Sequence, residues 1–546
     1  MGFKVLSFHQ FKHILVHEKH HYHSEVIDYI EEYLGKKLSP PAEFMVIEDD
    51  YLSRDYLTDY ANYYIYSFNS AEYAKCMRVH FFAYPNKDAK DFEENFSCFI
   101  LNDSCKEGQN VSFWEKNYLG FTVITPIPNK TFGFTILKTQ QVPKETPAYE
   151  RVFWGTKDYK VNLFGNEMII RSLGFQKQDA NVGACATIAI WTMLEIAKED
   201  YNITLKSPLE ITKDAGLGTF FKRQFPSMGL EPEQMCTAIA KNYLIPKRYE
   251  QEDHFNLLIQ RVCHAYSHIK IPIILNISIK VNTKVVKHSI AICGHRLNDW
   301  SNLLAKIQEK MIEWAESSER QSIIWFAERI SKIYVHDDQM GPFVNMEFVG
   351  GKELKSTSYD YIEGESLIVA LYPKIGILLE DIEQETLNWN MLIYRFFKQI
   401  AESNEVPLKL HPNNLIWDTQ LFSSRDYKKK MRNSVLLNTK IPRHKKFKTH
   451  FLTSILPEYI WVMNMYLRIE TEVTEEIVLI FDASGLLNSP LLIDIWIYDE
   501  SINEKLYYYL SFLEKSQPKL INKTIRGDIT TVLAALSNSI DYNKSM

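Results

Sequence analysis

Apolar positions recur along this chain with two different spacings, and the switches between them mark its elements. In EVIDYIEEYL, residues 25–34, they recur at three- and four-residue steps and predict a short amphipathic helix, ended by Gly35 and then Pro40-Pro41. Residues 77–83, 119–127 and 132–137 are short runs rich in aromatic and β-branched side chains and predict strands, the last two joined through Pro128-Asn129-Lys130. From 185 to 197 nearly every position is apolar, so a helix there is buried on most sides. Ser207-Pro208-Leu209-Glu210 carries a capping-box pattern with proline at the first helical position. Further helices are expected after Pro232 and over 257–266. At Ile271 the period changes: 271–279 and 285–293 read as two strands joined at 281–284, a hairpin ending at Gly294. Residues 302–329 predict a charged helical insertion, and 332–336 a short strand stopped by Asp337-Asp338-Gln339-Met340-Gly341-Pro342. After Pro373 come a helix over 377–401, strands over 459–469, 475–481 and 491–497, and a last helix near 504–513.

A chain of 546 residues exceeds one hydrophobic core, and about three domains are expected: 1–150, 151–375 and 376–546, with 140–147 the most linker-like stretch before the second. Aromatics at 13% suit large cores, and a net charge of -6 gives no reason to expect nucleic-acid binding. A basic run from Lys428 to Lys448 reads as a solvated face or loop, with docking to an acidic protein or nucleic acid as the sharper alternative. The seven cysteines, at 76, 98, 105, 185, 236, 263 and 293, form no CxxC pair, which suits a reducing compartment. No signal-peptide core and no bilayer-length apolar run is present, so a cytoplasmic protein is expected. His9, His13 and His17 share helical spacing, but no acidic or cysteine ligand of matching spacing joins them apart from Glu18. They read as a polar face, and neither a metal nor another cofactor is expected.

The chemistry concentrates around Cys185. A cysteine at the first turn of a buried helix meets unpaired backbone N–H groups and the positive end of the helix dipole, both of which favour a thiolate. Gly183, Ala184 and Ala186 leave room for a substrate backbone, and Gln178 precedes them with a side-chain amide suited to an oxyanion. His288 shares a strand face with Val286, Ile290 and Ile292, and an ionisable ring on an apolar face needs a partner. Asp337 ends the next strand on the side of Ile333 and Val335, whereas Asp338 is expected to turn away and accept backbone N–H bonds near Gly341-Pro342.

Taken together, Gln178, Cys185 on a helix, Lys287-His288-Ser289-Ile290-Ala291-Ile292-Cys293-Gly294 and the strand ending at Asp337 resemble the papain-like cysteine peptidases. The nearest branch is the one related to bacterial leader-peptide peptidases of bacteriocin exporters, which the turn and helix at Gly229-Leu230-Glu231-Pro232-Glu233-Gln234-Met235 also resemble. The resemblance covers roughly residues 150–375. It implies an α+β fold in which a helix bearing the cysteine packs on an antiparallel sheet bearing histidine and aspartate, flanked by large N- and C-terminal domains. It also implies Cys185 as nucleophile, His288 as base, Asp337 (or Asp338 in its place) as orienting acid and Gln178 as oxyanion donor. The function expected is a cysteine hydrolase, foremost a peptidase, acting on a protein or peptide through a thioester. The alternatives are acyl transfer, transglutamination or deamidation by the same residues, or a non-catalytic binding protein of this fold. A protein partner of the N- or C-terminal domain is a further expectation; a membrane is not.

Overall fold

The computed structural model describes residues 3–540 apart from 20, 67–73, 102–110, 128–129, 141–148, 180–183, 217–228, 282–283, 306–322, 358, 360, 404–413, 435–436, 438–439, 441, 470–471, 486–490 and 517–528. The protein is α+β with largely antiparallel sheets. Two compact units divide it. The first holds residues 1–256, 270–297 and 331–371, and the second holds 257–269, 298–330 and 372–546. The last crossing falls close to the expected division at 375, whereas the boundary expected near 150 lies inside the first unit. The linker-like stretch 141–147, most of the expected insertion (306–322) and the hairpin turn at 282–283 lie outside the described residues. Residues 300–305 are helical as expected, but 324–329 form a short strand and a 3-10 turn instead.

In the first unit, β1 (Lys4–Ser7), β2 (Phe44–Tyr51), β3 (Cys76–Phe82), β4 (Tyr118–Ile124) and β5 (Phe132–Leu137) form one sheet in sequential order. Phe82, Phe92, Phe96, Trp114 and Tyr118 are buried together against it, which is where much of the aromatic content goes. The expected helix appears at Glu25–Glu32, and His9, His13 and His17 are exposed.

After the edge strand β6 (Tyr149–Val152) comes a separate hairpin of β7 (Lys157–Leu163) and β8 (Asn166–Ser172). The second large sheet of this unit contains β9 (Ile245–Glu250), β10 (Ile273–Val281), β11 (Lys284–Asn298), β13 (Ile330–Asp337), β14 (Gly341–Gly350), β15 (Glu353–Lys355) and β16 (Ile362–Leu371), with β6 beside β11. The path β10-β11-β13-β14-β15-β16 closes on itself, because β16 also pairs with β10. Closure leaves few unpaired strand edges and fixes the ends of β11 and β13 next to each other.

The hairpin register sets His288 opposite Ile277. β11 does not stop at Gly294, as its sequence suggested, but runs on to Asn298. A Cβ at Gly294 would lie 2.7 Å from the Val152 carbonyl oxygen, so this glycine lets β6 approach and is no terminator.

The helix Cys185–Tyr201 is buried almost throughout, with Ile190, Met193, Leu194 and Ala197 fully enclosed, and it ends on Asn202 at φ 50°. Its buried Glu195 is held by Lys157 Nζ at 2.7 Å and by the Tyr159 hydroxyl at 2.9 Å. Ser207 and Glu210 form the expected capping box around Pro208, and Glu231 with Gln234 forms a second around Pro232.

A buried polar knot ties the first sheet to the chain leading into the Cys185 helix. The Tyr64 hydroxyl donates to Asp179 Oδ2 at 2.6 Å; Lys130 Nζ lies 3.5 Å from Asp59 Oδ2 and 4.0 Å from Asp179 Oδ2. The Leu209 N–H reaches Asp59 Oδ1 at 3.5 Å. Burial pushes Asp59 up to about 6, against the pull of Lys130.

Gly341 sits in the tight turn from β13 to β14, which pairs it with Asp337. Its φ is +148°, and a Cβ there would fall 2.3 Å from the ring of Tyr29. Gly341→Ala should therefore cost on the order of 2–3 kcal/mol by combining strained backbone with overpacking. Urea denaturation of the full chain checks this, and an unchanged midpoint would contradict it.

The second unit is built on β12 (Ile324–Trp325), β17 (Leu415–Ser423), β18 (Tyr459–Ile469), β19 (Glu472–Asp482) and β20 (Leu491–Ile497), with β12 parallel to β17. The expected helix after Pro373 spans Leu379–Ser403, and its Asn390 Oδ1 accepts the Trp417 indole N–H at 2.9 Å. The basic run lies around the helices Ser424–Asn433 and Pro442–Thr453. Lys429, Lys430, Arg432, Lys445 and Lys446 are exposed, while buried Lys448 donates to the carbonyls of Arg432 and Ser434. Among the described residues no helix is long and apolar enough to cross a membrane.

Candidate active site

Three of the four residues singled out in the sequence converge in the first unit. Cys185 is the first residue of its helix and is half-buried, with Ala184 as the extended N-cap. His288 stands on β11, and both it and Asp337, at the end of β13, are enclosed. His288 Nε2 lies 2.9 Å from Asp337 Oδ1, and the Cys185 side chain is close enough to act on the imidazole and raise it. The imidazole thus links a thiol at a helix start to a buried carboxylate. Val286, expected on the same apolar face, is instead largely exposed, so the enclosed face begins at His288.

Asp337 is saturated with donors. Its Oδ1 also accepts the Gln339 backbone N–H at 3.0 Å, and its Oδ2 accepts the Tyr359 hydroxyl at 3.0 Å. The Gln339 side-chain amide lies 3.5 Å from His288 Nδ1. Neither Gln339 nor Tyr359 was singled out in the sequence. Gln339 sits inside the flagged Asp-Asp-Gln-Met-Gly-Pro turn, where a carboxylate commonly caps the N–H two residues on. Tyr359 comes from the β15–β16 connection and carries no local signal.

The electrostatics follow from these contacts. Burial alone would push His288 down. The charge and hydrogen bond of Asp337, the hydrogen bond with Cys185 and the charge of Asp338 outweigh it and hold the imidazole well above its ordinary range. Burial would push Asp337 up, but the His288 charge and the donors from His288, Gln339 and Tyr359 lower it.

Asp338 departs from expectation. It does not turn away from the imidazole: its Oδ1 lies 3.8 Å from His288 Nε2, and its buried Oδ2 has no hydrogen-bond partner. Burial and the neighbouring Asp337 push it up to about 7, against the pull of His288 and Lys177. The folded protein therefore binds a proton at Asp338 between about pH 4, where an unfolded aspartate ionises, and pH 7. Stability contributed by this proton is lost as pH rises through that window. Asp338→Asn should accordingly gain on the order of 1–3 kcal/mol relative to wild type between pH 4 and 8. Urea titrations of both proteins across that range test it; a difference independent of pH would refute the assignment.

His288, Asp337 and Asp338 each offer one donor atom within 4.8 Å of the others, the only such trio among the described residues. His288 Nε2 is already engaged by Asp337, whose two oxygens also accept from Gln339 and Tyr359, so the trio is read as a hydrogen-bonded acid–base cluster rather than as metal ligands.

Gln178 is half-buried, its amide makes no hydrogen bond among the described residues, and residues 180–183 before Cys185 lie outside them. Its neighbour Asp179 is fixed by Tyr64. The preceding segment runs beside the end of β13, where His336 Nδ1 lies 3.2 Å from the Gly174 carbonyl oxygen. Gln176 on this segment is buried with its Nε2 unpartnered, an unmet donor that the sequence reading passed over. Compared with models of known protein families and with curated proteins, the chain matches none.

Proposed function

We propose that the first unit is a cysteine hydrolase with a papain-like core that cleaves an amide bond, foremost in a protein or peptide. The observation that carries this reading is the buried imidazole of His288 joining the thiol of Cys185 to the donor-saturated carboxylate of Asp337. In the reaction the Cys185 sulfur attacks the carbonyl carbon, and His288 holds the thiol proton and passes it to the departing amine as the C–N bond breaks. Water then attacks the thioester, giving its proton back through His288 and releasing the acid. Asp337 keeps the ring oriented and stabilises the imidazolium. The amide of Gln178, or the unpartnered amide of Gln176, together with the Cys185 backbone N–H, would hold the oxyanion.

The experiment is labelling of the full chain with an electrophilic peptide library, followed by mapping of the modified residue. Cys185 should be labelled at least tenfold faster than the half-buried Cys98 and Cys236, with His288→Asn abolishing the preference and a chelator leaving it unchanged. Equal labelling of the three thiols would sink the proposal.

A further inference from the structure

We infer that Asp338 is a positioning carboxyl of this site, whose own proton decides how firmly His288 holds its proton. The geometry carries this. Asp338 is buried, its Oδ1 lies 3.8 Å from His288 Nε2, and its Oδ2 meets no hydrogen-bond donor. A carboxyl enclosed with one oxygen lacking a donor is poorly stabilised as an anion, so it takes up or releases a proton according to the charges around it.

Those charges come from four elements. His288 on β11 attracts the anion, and Asp337, the preceding residue of β13, repels it. Lys177, on the segment leading towards Cys185, attracts it and feels its charge in return. The Tyr359 phenol, from the β15–β16 connection, lies within the field of both aspartates. Asp337 already holds the ring through a direct hydrogen bond and is kept ionised by three donors. Of the two carboxyls beside the imidazole, the one whose charge varies is therefore Asp338. When Asp338 is protonated, His288 faces one carboxylate; when it ionises, His288 faces two and binds its own proton more tightly. Near neutral pH, where Asp338 titrates, the site passes from a looser to a firmer imidazolium.

The consequence for turnover rests on the hydrolase reading: a firmer imidazolium sustains a thiolate–imidazolium pair to higher pH but gives its proton to a leaving amine less readily. The electrostatic coupling itself does not depend on that reading.

The test is a pH titration of the His288 ring, followed by NMR of the full chain labelled at histidine Cε1 and assigned with His288→Asn. In wild type the His288 signal should titrate above the ordinary histidine range, with an inflection near neutral pH from Asp338. Asp338→Asn should remove that inflection and lower the His288 midpoint by about one pH unit. Lys177→Gln, which removes the attraction favouring the Asp338 anion, should move the inflection to higher pH and serves if Asp338→Asn does not fold. Superimposable curves for wild type and Asp338→Asn, or an inflection unmoved by Lys177→Gln, would overturn the inference. Failure of Cys185 to react with peptide electrophiles would instead count against the hydrolase reading and leave these curves unaffected.

Discussion

Asp337→Asn should lower turnover on any amide substrate by a factor on the order of 10² to 10⁴. The substitution keeps the size of the side chain and leaves an oxygen for the Tyr359 hydroxyl, so the turn from β13 to β14 has no steric reason to change. What it removes is the anion 2.9 Å from His288 Nε2. Without that charge, only the hydrogen bond with Cys185 and the charge of Asp338 are left to oppose burial, so the ring holds the thiol proton as an imidazolium less firmly. An amide placed at 337 is also free to present its NH₂ group and favour the opposite tautomer. Initial rates of wild type and Asp337→Asn on one peptide, with circular dichroism to show that both are folded, decide the matter. Activity within threefold of wild type would remove Asp337 from the catalytic set.

The second large effect concerns Lys130. Its ammonium is buried between Asp59 and Asp179, at 3.5 and 4.0 Å, and replaces the water that these carboxylates have lost. Lys130→Met fills nearly the same volume and leaves two buried acids facing each other. Breaking a buried pair in this way costs about 3–5 kcal/mol. Asp59, already raised to about 6, should then stay protonated to still higher pH, so the loss should deepen as pH rises from 5 to 8. Since Asp179 adjoins Gln178, the same change should slow labelling of Cys185 even in conditions where the chain remains folded. Stability equal to wild type at pH 8 would show that the knot contributes nothing.

Much of the site was legible because its members announce themselves locally. His288 interrupts an apolar strand, Cys185 opens an apolar helix, and the choice between Asp337 and Asp338 follows from strand alternation through Ile333 and Val335. The Ser207 cap and the β10–β11 hairpin were legible for the same reason: capping and turn chemistry are properties of a few adjacent residues. What stayed hidden depends on distant neighbours. Gly294 looked like a stop because its packing against β6 is invisible in the local pattern. Pro342 looked like a breaker, yet it lies at the beginning of β14. Asp338 was expected to find donors in its own turn. Instead Asp337 takes the Gln339 N–H, and Asp338 remains buried beside the imidazole. The grouping of elements into two units was beyond local reading altogether, since periodicity reports what a segment is and not which core it joins.

That grouping bears on how the chain is made and where it can be cut. It passes between the units five times, lending residues 257–269 and 298–330 to the second before the first is complete. During synthesis those two pieces leave the ribosome long before β17 to β20, the strands of their own sheet, have been translated. His264, whose Nε2 ends 2.7 Å from Asp418 Oδ1, must wait for a partner more than 150 residues downstream. Severing the chain near 371 would therefore not yield two independent proteins. The N-terminal fragment would carry the apolar residues Val262, Cys263 and Tyr266 with nothing to bury them, and the C-terminal fragment would lack β12 at the edge of its sheet.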